Sequence, residues 1–338
     1  MKTKLFFIGL LVASISIQAQ MVSVALHKAT GTEIFTGVDP FKAAYAASVA
    51  GDTIYLSGGS FVAPANFDKQ LFIYGVGHYP DSTAATNPTT ITGDFILTEN
   101  ADNFYLEGVN LKNQFYTDTN ASVNAFTIRR VKIDGSTTIQ GTAVNSTNIT
   151  FIECILNHVN LNNATNSAIF NSILYNYVNY SNANVFKNNI FLYYGSANLF
   201  SNSNNNEISN NVIIQTYGNY ISNGNGNTYK NNLFVSAAPN YGTSPILINN
   251  YLGVAQADIF VNQTGYAFDY THDYHLQVPE TYLGADNPAT QVGIYGGNFP
   301  FKTANMPITP HISTQNISSS TDNNGMLNIN IKVNAQKN

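Results

Sequence analysis

The chain has no tryptophan, a single cysteine and few charges. With Cys154 alone, an intramolecular disulfide framework is excluded, so a hydrophobic core must hold the fold. Charged residues make up 10% of the 338 residues, far below the usual quarter or so, while hydrophobic ones make up 44%. A folded surface must therefore be covered largely by Asn, Ser, Thr and Tyr. Fourteen Lys and Arg against nineteen Asp and Glu give a formal net charge of -5, which leaves no basic footprint for nucleic acid. Beyond the first twenty residues no uninterrupted apolar run is long enough for a membrane helix, so no transmembrane segment is expected.

What is present begins with MKTKLFFIGLLVASISIQAQ, in which Lys2 and Lys4 precede an apolar run from Leu5 and small or polar residues surround Ala19. This is the pattern of a secretory signal peptide over residues 1–19, its apolar run too short to span a bilayer comfortably. The mature chain is expected to be exported, either secreted or held at the cell surface.

A repeat lies among the asparagines. NEISNNVII, NTYKNNLFV, NVFKNNIFL and SAIFNSILY anchor on Val212, Leu233, Ile190 and Ile173; ITFIECILN, FTIRRVKID and FYLEGVNLK are weaker copies anchored on Ile155, Val131 and Val109. Steps of 17 to 24 residues between successive anchors fit the coils of a solenoid with loops of varying length. Four places before the anchors stand mostly large apolar residues, from Tyr105 to Tyr229, and one place before stand Gly108, Arg130, Cys154, Ser172, Asn189, Asn211 and Asn232. In a parallel β-solenoid identical positions stack about 4.8 Å apart. Ser172, Asn189, Asn211 and Asn232 are then a structural ladder whose amides bond to those above and below, and Asn also tolerates the left-handed turn conformation. Cys154, in the same column, is expected to be buried and inert.

Three further segments carry a family resemblance. FKAAYAASVAGDTIYLSGGSF (Phe41 to Phe61) is similar to a short amphipathic cap helix followed by the first strand of a coil. LFIYGVGHY (Leu71 to Tyr79) resembles the next strand and its Gly turn, and DYHLQ (Asp273 to Gln277) with GIYGG (Gly293 to Gly297) resembles a closing rung and exit. The chain thus resembles right-handed parallel β-helix proteins of the pectate-lyase-like superfamily, in the secreted form common in Bacteroidetes, over roughly residues 35 to 300. The resemblance implies an all-β chain, a single-stranded right-handed parallel β-helix with a short N-terminal cap helix. The expected organisation is a signal peptide at 1–19, the β-helix with its cap at 20–300, and a linker with one closing strand at 301–338, placed to cover the open end of the solenoid.

This scaffold carries many activities, so chemistry has to be argued from residues. The hydrolase signatures of the family, an Asn-Thr-Asp triplet, an Asp-Asp pair and a Gly-His-Gly, are absent, with Gly77-His78-Tyr79 the nearest approximation. Two places before the anchors stand Glu107, Arg129 and Glu153, candidate catalytic residues for an acidic or hydroxyl-rich sugar; the competing reading is an ion-pair ladder on a turn. A lyase would add calcium, and no other cofactor or metal is expected; His272, Asp273 and His275 in THDYHL do not share one strand face. Tyr177, Tyr194 and Tyr217 are candidate ligand-binding residues, because exposed rings spaced by a rung stack on sugar rings. The expected function is non-catalytic binding of a glycan or another surface along the solenoid. The alternative is a polysaccharide lyase or glycoside hydrolase with a divergent site.

Overall fold

A computed structural model describes residues 22–141 and 144–335; the expected signal peptide lies outside the described residues. The chain is all-β, a parallel β-solenoid of about nine turns with, among the described residues, one α-helix and a C-terminal strand pair. Three sheets of twelve, nine and six strands run along it among the described residues. The N-terminal end is closed by a hairpin, β1 (Val24–Lys28) and β2 (Gly31–Phe35), and by α1 (Pro40–Ala47). Pro40 suits the first helical turn, where its missing N–H is not needed. β1 pairs antiparallel with β3 (Thr53–Leu56), the first strand of the coil, so that Val24 and Leu26 close the core with Phe41 and Ala44 of α1.

Inside, one column of the twelve-stranded sheet reads Leu106, Ile128, Phe151, Ile169, Phe186, Ile208 and Tyr229, all buried. In the early coils the interior is aromatic: Phe67, Phe95 and Phe115 stack face to face, with centroids 4.1 and 5.9 Å apart. The strand register also corrects the repeat. Lys132 pairs with Asn110 on one side and Ile155 on the other, so the first two anchors are Asn110 and Lys132 rather than Val109 and Val131. A slip of one residue exchanges inside for outside. The nine-residue copies are themselves in register; the valines attracted the anchor because they are the first apolar residues after the turn.

The nine-stranded sheet explains the apolar triplets. Ile213 faces the solenoid interior, whereas Val212 and Ile214 belong to a second core on the outside of the coil. That core is built from Ile173, Ile190, Val212 and Leu233 beneath Ile259, Phe260, Tyr274, Leu276, Val292, Ile294 and Phe301. A sheet covered on both faces loses the polar alternation of a half-exposed one.

Here the C-terminal part departs from the expected organisation. Parallel strand pairing stops at β4 (Ile246–Ile248), with a last bridge from Leu233 to Tyr251. The chain then folds back along the outside instead of adding rungs. The DYHL segment expected as a closing rung is β6 (Asp273–Leu276), which pairs antiparallel with β5 (Phe260–Asn262). Its alternation, with Tyr274 and Leu276 buried, serves the second core. The tail holds two strands where one was expected, β7 (His311–Ile317) and β8 (Ile329–Asn334), which form an antiparallel hairpin and, among the described residues, join no other sheet.

Candidate functional site

From the strand Tyr105–Glu107 onward, each turn after a strand of the long sheet passes through a left-handed residue: Gly108, Arg130, Glu153, Asn171, Asn188, Asn210, Asn231 and Asn249, with φ between 45° and 75°. Asn is the non-glycine residue that tolerates this region best, which accounts for the first asparagine of each pair. Its side chain points outward and holds the returning chain. Asn171 donates to the carbonyls of Ile294 and Gly296, Asn188 to that of Gly293, Asn210 to Asp286, and Asn231 to the carbonyl of Leu283.

The second asparagine points inward. Oδ1 of Asn189, Asn211, Asn232 and Asn250 each accepts the backbone N–H of the ladder residue one coil earlier, at 2.8 to 3.0 Å, beginning with Ser172. The amide nitrogens of Asn189, Asn211 and Asn232 donate to the carbonyls of Ile169, Phe186 and Ile208. The ladder therefore satisfies backbone groups first; direct amide-to-amide bonds, such as Asn211 to Asn232 at 2.9 Å, are secondary. Cys154 occupies the same column, fully buried, its Sγ 3.3 Å from the carbonyl oxygens of Ile128 and Ile152, and burial pushes its thiol up to about 12. A second ladder, Ser167, Asn184, Asn206 and Asn227, runs at the other end of the same strands through the same kind of bond. Its signal is the first residue of the four stronger nine-residue copies, SAIFNSILY, NVFKNNIFL, NEISNNVII and NTYKNNLFV.

The charged strip is a buried knot. Arg130 is fully buried and bridges two fully buried carboxylates, with Nη1 2.9 Å from Glu107 Oε1 and Nε 3.0 Å from Glu153 Oε2. Arg129, 22% exposed, lies on the outside with Nη2 3.0 Å from Glu153 Oε1. Burial works against its charge, but the Glu153 carboxylate beside it wins and raises its pKa. Tyr105 donates to Glu107 Oε2 at 2.6 Å, and burial followed by that carboxylate's charge raises the phenol's pKa.

The strap formed by residues 301–308 closes the rest. The backbone N–H of Lys302 donates to Glu153 and that of Ile308 to Glu107, while the Asn305 amide donates to the Glu153 carbonyl and to His78 Nε2. A side chain at Gly108 would strike Pro307 at 2.2 Å, so the strap sits directly on the coil there. Glu107, Arg129 and Glu153 are thus together, and the residue that joins them, Arg130, is one that the slipped anchor concealed. Both carboxylates already have their acceptor positions taken by arginine, tyrosine and backbone donors.

The tyrosines divide. Tyr194 and Tyr217 are 46% and 45% exposed and meet edge to face, centroids 5.6 Å apart. Tyr266, from the loop between β5 and β6, stacks on Tyr194 at 4.3 Å, and Tyr220 lies 6.5 Å from Tyr217. The buried Gln215 steadies this patch by donating to the Gly195 carbonyl and accepting the Tyr217 N–H. Tyr177 stands apart, half-buried against His158 at 4.5 Å and Tyr193 at 5.7 Å. Tyr266 is distant in sequence from the repeat, and only the folding back of the chain reveals it.

The class of protein that the fold defines is the parallel β-helix, and no helix among the described residues is long and apolar enough to cross a membrane. No known protein family, curated protein or solved structure matches the chain.

Proposed function

We propose that this chain is a non-catalytic extracellular protein that binds glycan, delivered by the signal peptide at residues 1–19 and related to the secreted pectate-lyase-like β-helix proteins. The observation that carries the reading is the exposed patch of Tyr194, Tyr217, Tyr220 and Tyr266, four rings fixed by packing and by Gln215. Aromatic rings present an apolar face to the C–H face of a sugar and a hydroxyl to its oxygens, and rings already held in place lose little entropy on binding. The absence of a free carboxylate in the Glu107–Arg130–Glu153 knot supports binding without turnover, since a hydrolase needs an acid and a second carboxylate open to substrate.

The test is binding of the parent and of Tyr194→Ala/Tyr217→Ala to a panel of neutral and acidic polysaccharides, read by affinity electrophoresis and calorimetry with and without calcium. The double variant is expected to lose tenfold or more in affinity, Tyr177→Ala to bind like the parent, and neither to release reducing ends or unsaturated products. Undiminished binding by the double variant would sink the patch. Cleavage that disappears in Arg129→Ala would make the protein an enzyme.

A further inference from the structure

The two ends of the solenoid are unlike. At the first end the core is closed by a hairpin whose inner strand, β1, pairs antiparallel with β3 and turns Val24 and Leu26 inward. At the other end the twelve-stranded sheet stops at β4 with no strand beyond it among the described residues. Leu247 occupies the core column there, buried in every coil from Leu106 to Tyr229, yet is 50% exposed, with Ile246, Ile248 and Leu252 exposed around it. An unpaired apolar edge of this kind invites another strand.

The same chain carries an unused hairpin. In β8 the exposed Ile329, Ile331 and Val333 alternate with Asn330, Lys332 and Asn334, the pattern that β1 uses, and β7 flanks β8 as β2 flanks β1. An isolated two-stranded hairpin is marginally stable in water, so its apolar row calls for a cover. It does not reach its own open end. Ile308 is tied to Glu107, seven strand spacings or about 34 Å from β4, and only Thr309 and Pro310, roughly 11 Å of chain, separate it from β7.

We propose that the C-terminal hairpin of one copy caps the open end of a second copy, β8 pairing antiparallel with β4 as β1 pairs with β3. The contact joins two different surfaces, so each added copy leaves one hairpin and one open end free, and copies assemble head to tail.

The experiment measures mass by light scattering and sedimentation across a hundredfold range of concentration, using the full-length chain expressed so that any N-terminal processing takes place. Association beyond the dimer is expected for the parent. Truncation after Pro310, Ile331→Lys and Leu247→Lys are each expected to be monomeric, with circular dichroism and melting checked against the parent. The truncated chain keeps the open end and Leu247→Lys keeps the hairpin, so an equimolar mixture of the two is expected to stop at a dimer whose mass is the sum of the two chains. A parent that is monomeric throughout, association that survives truncation, or a mixture that fails to pair would each overturn the proposal. If Leu247→Lys does not fold, truncated chain mixed with parent replaces it, and failure of the truncated chain to terminate the parent's assembly counts against the proposal equally.

Discussion

Asn210 and Asn211 are adjacent, and their side chains serve opposite sides of the wall: Asn210 donates outward to Asp286, Asn211 inward to the carbonyl of Phe186. One residue fastens the returning chain and the next sustains the coil. Replacing Asn211 by Leu removes the acceptor of the Asn189 N–H and the donor to the Phe186 carbonyl, both buried. Each orphaned group costs about 1–3 kcal/mol, so Asn211→Leu is expected to lose about 3 kcal/mol or more in urea unfolding. Asn210→Gly keeps the left-handed turn, leaves its partners near solvent and is expected to lose about 1 kcal/mol. Equal losses for the two would remove the distinction between inner and outer asparagines.

Arg130 and Arg129 set up a similar contrast in charge. Arg130→Met leaves Glu107 and Glu153 buried without their bridging cation, and breaking a buried pair costs about 3–5 kcal/mol. Arg129 lies at the rim with one partner, and Arg129→Ala is expected to cost no more than about 1 kcal/mol. Denaturant titration of both variants orders them; a larger loss for Arg129→Ala would contradict the geometry.

The coil was legible because stacking imposes columns, and the asparagine pairs NN at 188–189, 210–211 and 231–232 mark them without ambiguity. Where the pairs give way to Gly108-Val109 and Arg130-Val131 the mark is lost, so anchoring on the valines puts Arg130 one column out and hides its bridge. The outer half of the structure was not legible at all. Asn305 meets His78 across 227 residues and Tyr266 meets Tyr194 across the second core, and neither contact follows from a local period. DYHL illustrates the limit: its alternation is real, but alternation does not say whether the strand joins a parallel coil or an antiparallel pair outside it.

Cys154 offers a probe of the column's closure. Its thiol is fully buried, and burial raises its pKa to about 12, so neither access nor thiolate is available in the folded protein. Labelling by a thiol-specific reagent at pH 8 is expected to proceed no faster than unfolding, and to become rapid in denaturant. Labelling of the native protein within the mixing time would show that the coil opens there.

His78 gives the fold a pH dependence whose sign follows from its burial. Burial, reinforced by the charge of Lys132, lowers its pKa from the ordinary 6.5 to about 3. The ring is held neutral by its contacts as well: Nε2 accepts from the Asn305 amide at 2.9 Å, which leaves Nδ1 to donate to the Tyr270 hydroxyl at 3.2 Å. A proton added at Nε2 would face the N–H of Asn305. Because the folded pKa is the lower one, the unfolded chain takes up this proton first. The stabilisation from neutral His78 is present in full above pH 6.5 and is lost as pH falls from 6.5 towards 3, with a slope approaching about 1.4 kcal/mol per pH unit in mid-window. His78→Gln keeps an acceptor for Asn305 and a donor for Tyr270 without the titration. Unfolding free energies of parent and variant between pH 7 and pH 4 are therefore expected to converge as the pH falls, because only the parent carries this linkage. Parallel profiles would mean that His78 is protonated in the fold and that the strap residues 301–308 are held to the coil in some other way.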